Sequence, residues 1–291
     1  MLMNMKELLS VAQENKFAVP AFNIGSGQLL KAVIQSANEK KSPVILAIHP
    51  DELSFLEDSF VASCIEEANK TKVPMVIHLD HGGNMDQVLR AIRTGFTSVM
   101  IDASHLSFEE NIEKCKEVVS IAHPLNISVE GELGTIGNTG TSGEGGDDQI
   151  IYTDPTKARE FVENSGIDSL AVAIGTKHGI YPSDMKPELK LDLLKEIKEE
   201  VDAPLVLHGG SSNPDKEVAE SVTLGITKIN ISSDIKSAFY KKAREIFDNN
   251  ENLYEPNAIY PECIKAAREV IEYKMNLFNS VGKAELYYKD L

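Results

Sequence analysis

Short apolar runs and amphipathic stretches alternate along almost the whole chain. Runs dominated by Val, Ile, Leu and Ala occupy 17–23, 43–49, 73–80, 97–102, 127–132, 168–174, 203–208 and 226–231. They are continuously apolar rather than alternating, the pattern of parallel strands that are covered on both faces. Between them, apolar residues recur at helical spacing over 27–41, 59–70, 85–94, 108–122, 155–165, 189–200, 214–224 and 233–248. Eight strand and helix pairs in strict order predict a (β/α)8 barrel over about 17–248. A short helix at 5–15 leads into it, and a helical extension over about 249–291 follows.

The punctuation agrees with these boundaries. Pro155 and Pro214 follow Asp154 and Asn213, as a proline in the first helical position follows an N-cap. Gly95, Gly166 and Gly225 stand just past helical runs, where a left-handed cap is expected. A doubly wound open sheet would need fewer strands and a glycine fingerprint that the sequence lacks. The extension reads as a turn-rich link at 249–261 and an amphipathic helix at 262–278, packed on the barrel or on a second subunit. All of 1–291 is expected to form one domain, since barrels with additions commonly reach this length.

Charge narrows the function. With 45 acidic against 29 basic residues the formal net charge is -16, which argues against a nucleic-acid groove or an anionic membrane surface. Any phosphate is then expected to be held locally, by backbone amides. Cys64, Cys115 and Cys263 are scattered without a C-x-x-C pair, so they read as buried thiols of a reducing compartment. The first residues have no signal-peptide pattern and no stretch is long and apolar enough for a membrane span, so a cytoplasmic protein is expected.

In a barrel of this kind the chemistry collects where the strands end. The ends of the predicted strands carry Asn23, His49, Asp80 with His81, Asp102, Glu130 and Glu132, His178, His208 and Asn230. Their beginnings carry mainly Ala, Pro, Thr and Ser. His81, His178 and His208 each follow an apolar run and stand beside glycine. Three neutral imidazoles with an open fourth position suit a catalytic Zn2+. His49, His105 and His123 lack that shared context and His78 lies inside its strand, so the four are set aside. The late loops Gly209-Gly-Ser211 and Asn230-Ile-Ser-Ser233, the second running into a helix, can present backbone N–H groups to a phosphate. An N-cap role for Ser232 or Ser233 is compatible with that.

Seven motifs, taken together, resemble the class II, metal-dependent ketose-bisphosphate aldolases, the fructose- and tagatose-1,6-bisphosphate aldolase family. They are Val19-Pro-Ala-Phe-Asn23, His78-Leu-Asp-His-Gly82, Ser98-Val-Met-Ile-Asp-Ala-Ser-His105, Val129-Glu-Gly-Glu-Leu-Gly134, Ala173-Ile-Gly-Thr-Lys-His-Gly179, Val206-Leu-His-Gly-Gly210 and Lys228-Ile-Asn230. The resemblance implies a zinc ion on His81, His178 and His208, with Asp80 as the catalytic proton donor and acceptor. It implies a second metal position at Asp102 and Glu132, a further divalent or monovalent cation, and a homodimer or homotetramer. The substrate implied is a small phosphorylated sugar, its dihydroxyacetone-phosphate half bound by Asn23, Gly179, Gly209, Gly210, Ser211, Asn230, Ile231, Ser232 and Ser233. Asn230 is also a candidate donor to the charge that develops in the reaction.

One stretch departs from the family. Where Gly-Gly-x-Glu-Asp usually follows Glu-Leu-Gly, this chain has Thr135-Ile-Gly-Asn-Thr-Gly-Thr-Ser-Gly-Glu-Gly-Gly-Asp-Asp148. Glu144 is the candidate loop acid or base, a plain flexible lid is the alternative, and a substrate other than a hexose bisphosphate stays open. Three rival readings follow: a Schiff-base aldolase using Lys228, a metal-dependent sugar-phosphate epimerase, and an accessory subunit with a relict site.

Overall fold

The computed structural model describes residues 1–143, 146 and 149–288, and in it the eight apolar runs close into the expected barrel. Among the described residues ten strands occur in chain order: β1 (Val19–Asn23), β2 (Val44–Ile48), β3 (Met75–Gly82), β4 (Ser98–Ile101), β5 (Ser128–Leu133), β6 (Gly137–Asn138), β7 (Ser169–Val172), β8 (Lys177–His178), β9 (Leu205–Leu207) and β10 (Ile226–Ile231). All but β6 and β8 build the barrel, in the order β1-β10-β9-β7-β5-β4-β3-β2, and every pairing is parallel. The short β6 and β8 pair with each other outside it.

The helices are α1 (Met5–Glu14), α2 (Gly27–Lys40), α3 (Pro50–Leu56), α4 (Asp58–Asn69), α5 (Met85–Thr94), α6 (Phe108–Ala122), α7 (Pro155–Ser165), α8 (Leu191–Glu200), α9 (Asp215–Thr223), α10 (Ser233–Asn249) and α11 (Pro256–Leu277). None among the described residues is long and apolar enough to cross a membrane. The main core lies between the helices and the outer strand faces. A second core has α1 as a stopper: Met5, Leu8, Leu9 and Ala12 pack against the inward-facing Val19, Ala21, Ile45, Ala47 and Val76. One end of the barrel is thereby closed, which leaves the other for chemistry.

An added helix and three shifted boundaries are the main departures from the pattern-based reading. An extra helix, α3, precedes α4, and His49 opens it: its Nδ1 accepts from the Asp51 amide while Glu52 accepts from the His49 amide, a capping box. Helix α9 starts at Asp215, with Pro214 itself in the N-cap position. Asn213 does not cap it, because its side-chain amide donates inward to the carbonyls of Gly209 and Ser211 at 2.6 and 3.1 Å. Helix α11 starts at Pro256 and runs through Pro261, since Ile259, Cys263, Ala267 and Ile271 form one buried stripe that continues past the proline. Strand β7 stops at Val172, so His178 does not end a barrel strand; β6 holds it instead, pairing Asn138 with His178.

Candidate metal centre

Adjacent residues of a regular strand face opposite ways, so Asp80 and His81 could not both point inward without a break in β3. The break is a bulge: Leu79 pairs with Val99 but Gly82 with Ile101, three residues on one strand spanning two on the other. His81 takes the extra position in a left-handed conformation, φ 52°, uncommon for a residue with a side chain. Gly82 makes the bulge fit, because a Cβ there would lie 2.5 Å from the Met100 carbonyl oxygen of β4. The strained histidine and the glycine after it are one device, and it brings the carboxylate and the imidazole to the same end of the barrel.

Three rings converge there. The centroid of His81 lies 4.9 Å from that of His178 and 4.5 Å from that of His208. One ligand atom from each can be chosen so that all three atoms lie within 4.8 Å of one another. Nε2 of His81 and Nδ1 of His208 are buried and, among the described residues, make no hydrogen bond. Buried polar atoms are rarely left this way, and two imidazole nitrogens aimed at one space fit a cation.

The other nitrogens are used. His81 Nδ1 meets Asp102 Oδ2 at 2.9 Å, and His208 Nε2 meets Glu130 Oε1 at 2.7 Å. Carboxylate partners of this kind fix the ring tautomer and orientation of metal-binding histidines. Burial lowers the pKa of His208, helped by the nearby His81. Burial works the same way on His81, but the charge on Asp80 and the hydrogen bond that His81 donates to Asp102 outweigh it and raise its pKa to about 10.

Beneath the histidines lies a layer that the sequence reading only partly identified. Lys228 is fully buried and its ammonium donates to both oxygens of Glu130, at 2.9 and 2.8 Å. It also lies 3.2 Å from Nε2 of His78, whose Nδ1 meets the Ser98 hydroxyl at 2.9 Å. Burial and the Lys228 charge push the His78 pKa down to about 3, so the ring is neutral. Burial would raise the Glu130 pKa, but Lys228 and His208 prevail and hold it ionised, well below the usual carboxylate range. Both oxygens of Glu130 thus engage the Lys228 side chain, which is held in this layer and not left free for the Schiff-base reading.

Asp80 sits above this layer. Its two oxygens each accept one amide proton, from Asn23 and from Asn230, both at 2.8 Å, and Oδ1 lies 3.8 Å from Nδ1 of His208. Burial alone would raise its pKa; His81, His208 and Lys228 outweigh it and keep the carboxylate ionised. Asp102 and Glu132 also come together with His81, as a second set of atoms within 4.8 Å of one another. Burial and the neighbouring Asp102 charge raise the Glu132 pKa well above the ordinary value. A cavity of about 220 Å³ opens beside this set, with Ser104 and His105 in its lining. His105 closes the Ser98–His105 motif but is set aside in the sequence reading because it lacks the context shared by the histidine trio.

The two loops expected to hold phosphate face each other across the same end. The Gly210 amide donates to the Asn230 carbonyl at 3.0 Å, and the Asp234 amide donates to Ser211 Oγ at 3.3 Å. Ser232 occupies the N-cap position of α10 without a side-chain cap. Gly179 follows β8 directly at φ 104°. Asn23, Ile231 and Ser233 lie at the ends of β1 and β10 and the start of α10. Glu144 lies outside the described residues.

Comparison with known proteins places the chain in a family. Residues 3–283 fit the family profile described as fructose-bisphosphate aldolase class-II. The chain is 42% identical over 286 residues to a 6-phospho-5-dehydro-2-deoxy-D-gluconate aldolase of Bacillus licheniformis, covering 97% of this chain and 96% of that protein. Among solved structures, the YdjI aldolase from Escherichia coli K12 superposes with a TM-score of 0.83 at 35% identity, over 98% of this chain and 100% of that one. A Coccidioides immitis protein provisionally called a fructose-1,6-biphosphate aldolase gives 0.88 at 29% identity, over 97% and 98%. With the barrel, the histidine trio and a match along nearly its whole length, the chain belongs to the class-II fructose-bisphosphate aldolase family.

Proposed function

We propose that the protein is a zinc-dependent aldolase that cleaves a phosphorylated ketose to dihydroxyacetone phosphate and an aldehyde, reversibly. The observation that carries this reading is the pair of unsatisfied imidazole nitrogens, on His81 and His208, that converge with His178 beside an ionised Asp80. His81, His178 and His208 would hold the ion. Bound there, zinc supplies a Lewis acid for the substrate oxygens on which charge develops.

Asp80 accepts the hydroxyl proton from the carbon that becomes the aldehyde. The carbon–carbon bond then breaks and its electron pair moves toward the ketone, leaving an enediolate that is reprotonated on carbon. Asn23 and Asn230 hold the Asp80 carboxylate in place, and the second N–H of the Asn230 amide is the proposed donor to the developing oxyanion. Proton transfer by a positioned side chain typically contributes about 10^2- to 10^4-fold. The loops at 209–211 and 230–233, with Gly179, are the proposed phosphate site.

Two substrate classes share this chemistry. The resemblance alone points to fructose or tagatose 1,6-bisphosphate. The relative named for 6-phospho-5-dehydro-2-deoxy-D-gluconate, at 42% identity, and the departure of the 135–148 loop from the bisphosphate pattern favour that keto acid phosphate as the first substrate to test. Cleaved between C3 and C4, it gives dihydroxyacetone phosphate and 3-oxopropanoate. Purified protein should release dihydroxyacetone phosphate from one of these compounds, lose the activity to EDTA and regain it with Zn2+. Activity that survives chelation, or a substrate adduct trapped by borohydride, would overturn the assignment.

A further inference from the structure

The C-terminal extension reaches the anion end of the barrel through a buried cation. Lys274 of α11 is 5% exposed, and its ammonium lies 2.9 Å from Oδ2 of Asp234 in the first turn of α10. That carboxylate accepts from Ser212 twice, from the amide at 3.2 Å and from the hydroxyl at 3.1 Å. Ser212 is in the left-handed region at φ 58°, which serine seldom adopts, so these bonds hold an unfavourable backbone in place. The residue before it is Ser211, whose Oγ accepts the Asp234 amide. Next to Lys274, the Tyr273 hydroxyl donates to Asp215, where the same loop enters α9. Two consecutive residues of α11 therefore act on the loop that follows β9, Tyr273 at its far end through Asp215 and Lys274 indirectly through Asp234.

We propose that Lys274 is a positioning residue for anion binding: it fixes the Ser211–Ser212 turn through Asp234 and cancels the Asp234 charge beside the place where a phosphate would sit. This rests on the reading of the 209–211 and 230–233 loops as the phosphate site. A carboxylate in the first turn of a helix is ordinarily favourable, because it meets the positive end of the helix dipole. Here it would compete with the ligand for that field. An ion pair with a buried lysine lets Asp234 brace the turn without repelling an incoming phosphate. The extension is then part of the binding apparatus rather than a passive cover for the barrel.

Inorganic phosphate is the probe, its dissociation constant measured by calorimetry on the full-length, zinc-loaded protein, alongside zinc affinity by chelator competition. Lys274→Met is expected to weaken phosphate binding about tenfold, by leaving a carboxylate unpaired near the ligand, with zinc affinity unchanged. Lys274→Arg should restore binding. Asp234→Asn keeps an acceptor for Ser212 and removes the charge, so it should bind phosphate as well as the unsubstituted protein or better. Equal weakening by Lys274→Met and Asp234→Asn would mean that the pair is only a structural tie, and would overturn the inference. Phosphate binding unaffected by Lys274→Met would overturn it too, leaving the phosphate site standing. Absence of saturable binding in the unsubstituted protein would remove the site and the inference together.

Discussion

His208 donates its Nε2 proton to Glu130 across 2.7 Å. The direction is set by Glu130, which Lys228 keeps ionised and which has no proton to give. The ring is thereby committed to the tautomer whose free lone pair is on Nδ1, which is buried and, among the described residues, makes no hydrogen bond. A lysine that never touches the metal site determines which nitrogen is offered to it.

Removing that carboxylate should loosen the ion. Glu130→Ala is expected to lower zinc affinity by about ten- to a hundredfold, read by competition with a chromogenic chelator. Lys228→Met should act on stability, because it strands Glu130 as an unpaired buried charge at a loss of about 3–5 kcal/mol. Urea denaturation of the zinc-free protein measures it. An unchanged zinc affinity in Glu130→Ala would show that the tautomer argument is wrong.

Asp80 separates chemistry from binding. Asp80→Asn keeps the volume and one acceptor but removes the base, so kcat should fall by about 10^2- to 10^4-fold while zinc content stays at that of the unsubstituted protein. Asn23, which only orients the carboxylate, should show a smaller loss, whereas Asn230, also the proposed oxyanion donor, should lose more than Asn23. Turnover within a few-fold of the starting enzyme would remove Asp80 from its role.

Much of this arrangement could be read before any coordinates. Runs such as Val44 to Ile48 are apolar at every position because both faces of a parallel strand are covered, and that pattern is enough to specify the barrel. The histidine trio could be read from the glycines beside it. His78 could not, although it shares strand parity with Asp80, because recognising it needs the cross-barrel neighbour Lys228, 150 residues away. The β3 bulge left only Gly82 as a trace; strict alternation would have put Asp80 and His81 on opposite faces. Strand-end reasoning does not account for the placement of His178, which a two-residue pairing with β6 holds instead of the end of a barrel strand.

Metal binding should be proton-linked in a specific way. In the zinc-free protein the His81 pKa is raised to about 10, so near neutral pH the ring is charged and a metal must displace one proton. His208, its pKa lowered by burial, is already neutral and releases none. Zinc uptake near pH 7 should therefore release about one proton from these two rings, seen as a buffer-dependent heat in calorimetry. Affinity should climb with pH and level off near 10. The same shift has an opposite consequence for folding: the unfolded ring deprotonates near 6.5 and the folded one near 10, so His81 stabilises the stripped protein below pH 6.5 and that contribution disappears as pH rises to 10. Stability of the stripped protein that is flat over that window would contradict the His81 assignment.

Gly209 links the two halves of the site through bare backbone. Its φ is 62°, and a Cβ there would lie 2.8 Å from the carbonyl oxygen and 2.9 Å from the carbonyl carbon of Lys177. Lys177 immediately precedes the proposed ligand His178, so a methyl group at 209 would press on the backbone that leads into that histidine. Gly209→Ala should lower stability by about 1–3 kcal/mol and, unlike an ordinary surface strain, weaken zinc and phosphate binding together. Gly27→Ala is the matched control: a Cβ at the start of α2 meets nothing within 4 Å, so both ligands should bind as before. If Gly209→Ala lost stability but kept zinc affinity, the loop after β9 and the segment carrying His178 would have to be mechanically independent, and the close approach of Gly209 to Lys177 would serve packing alone.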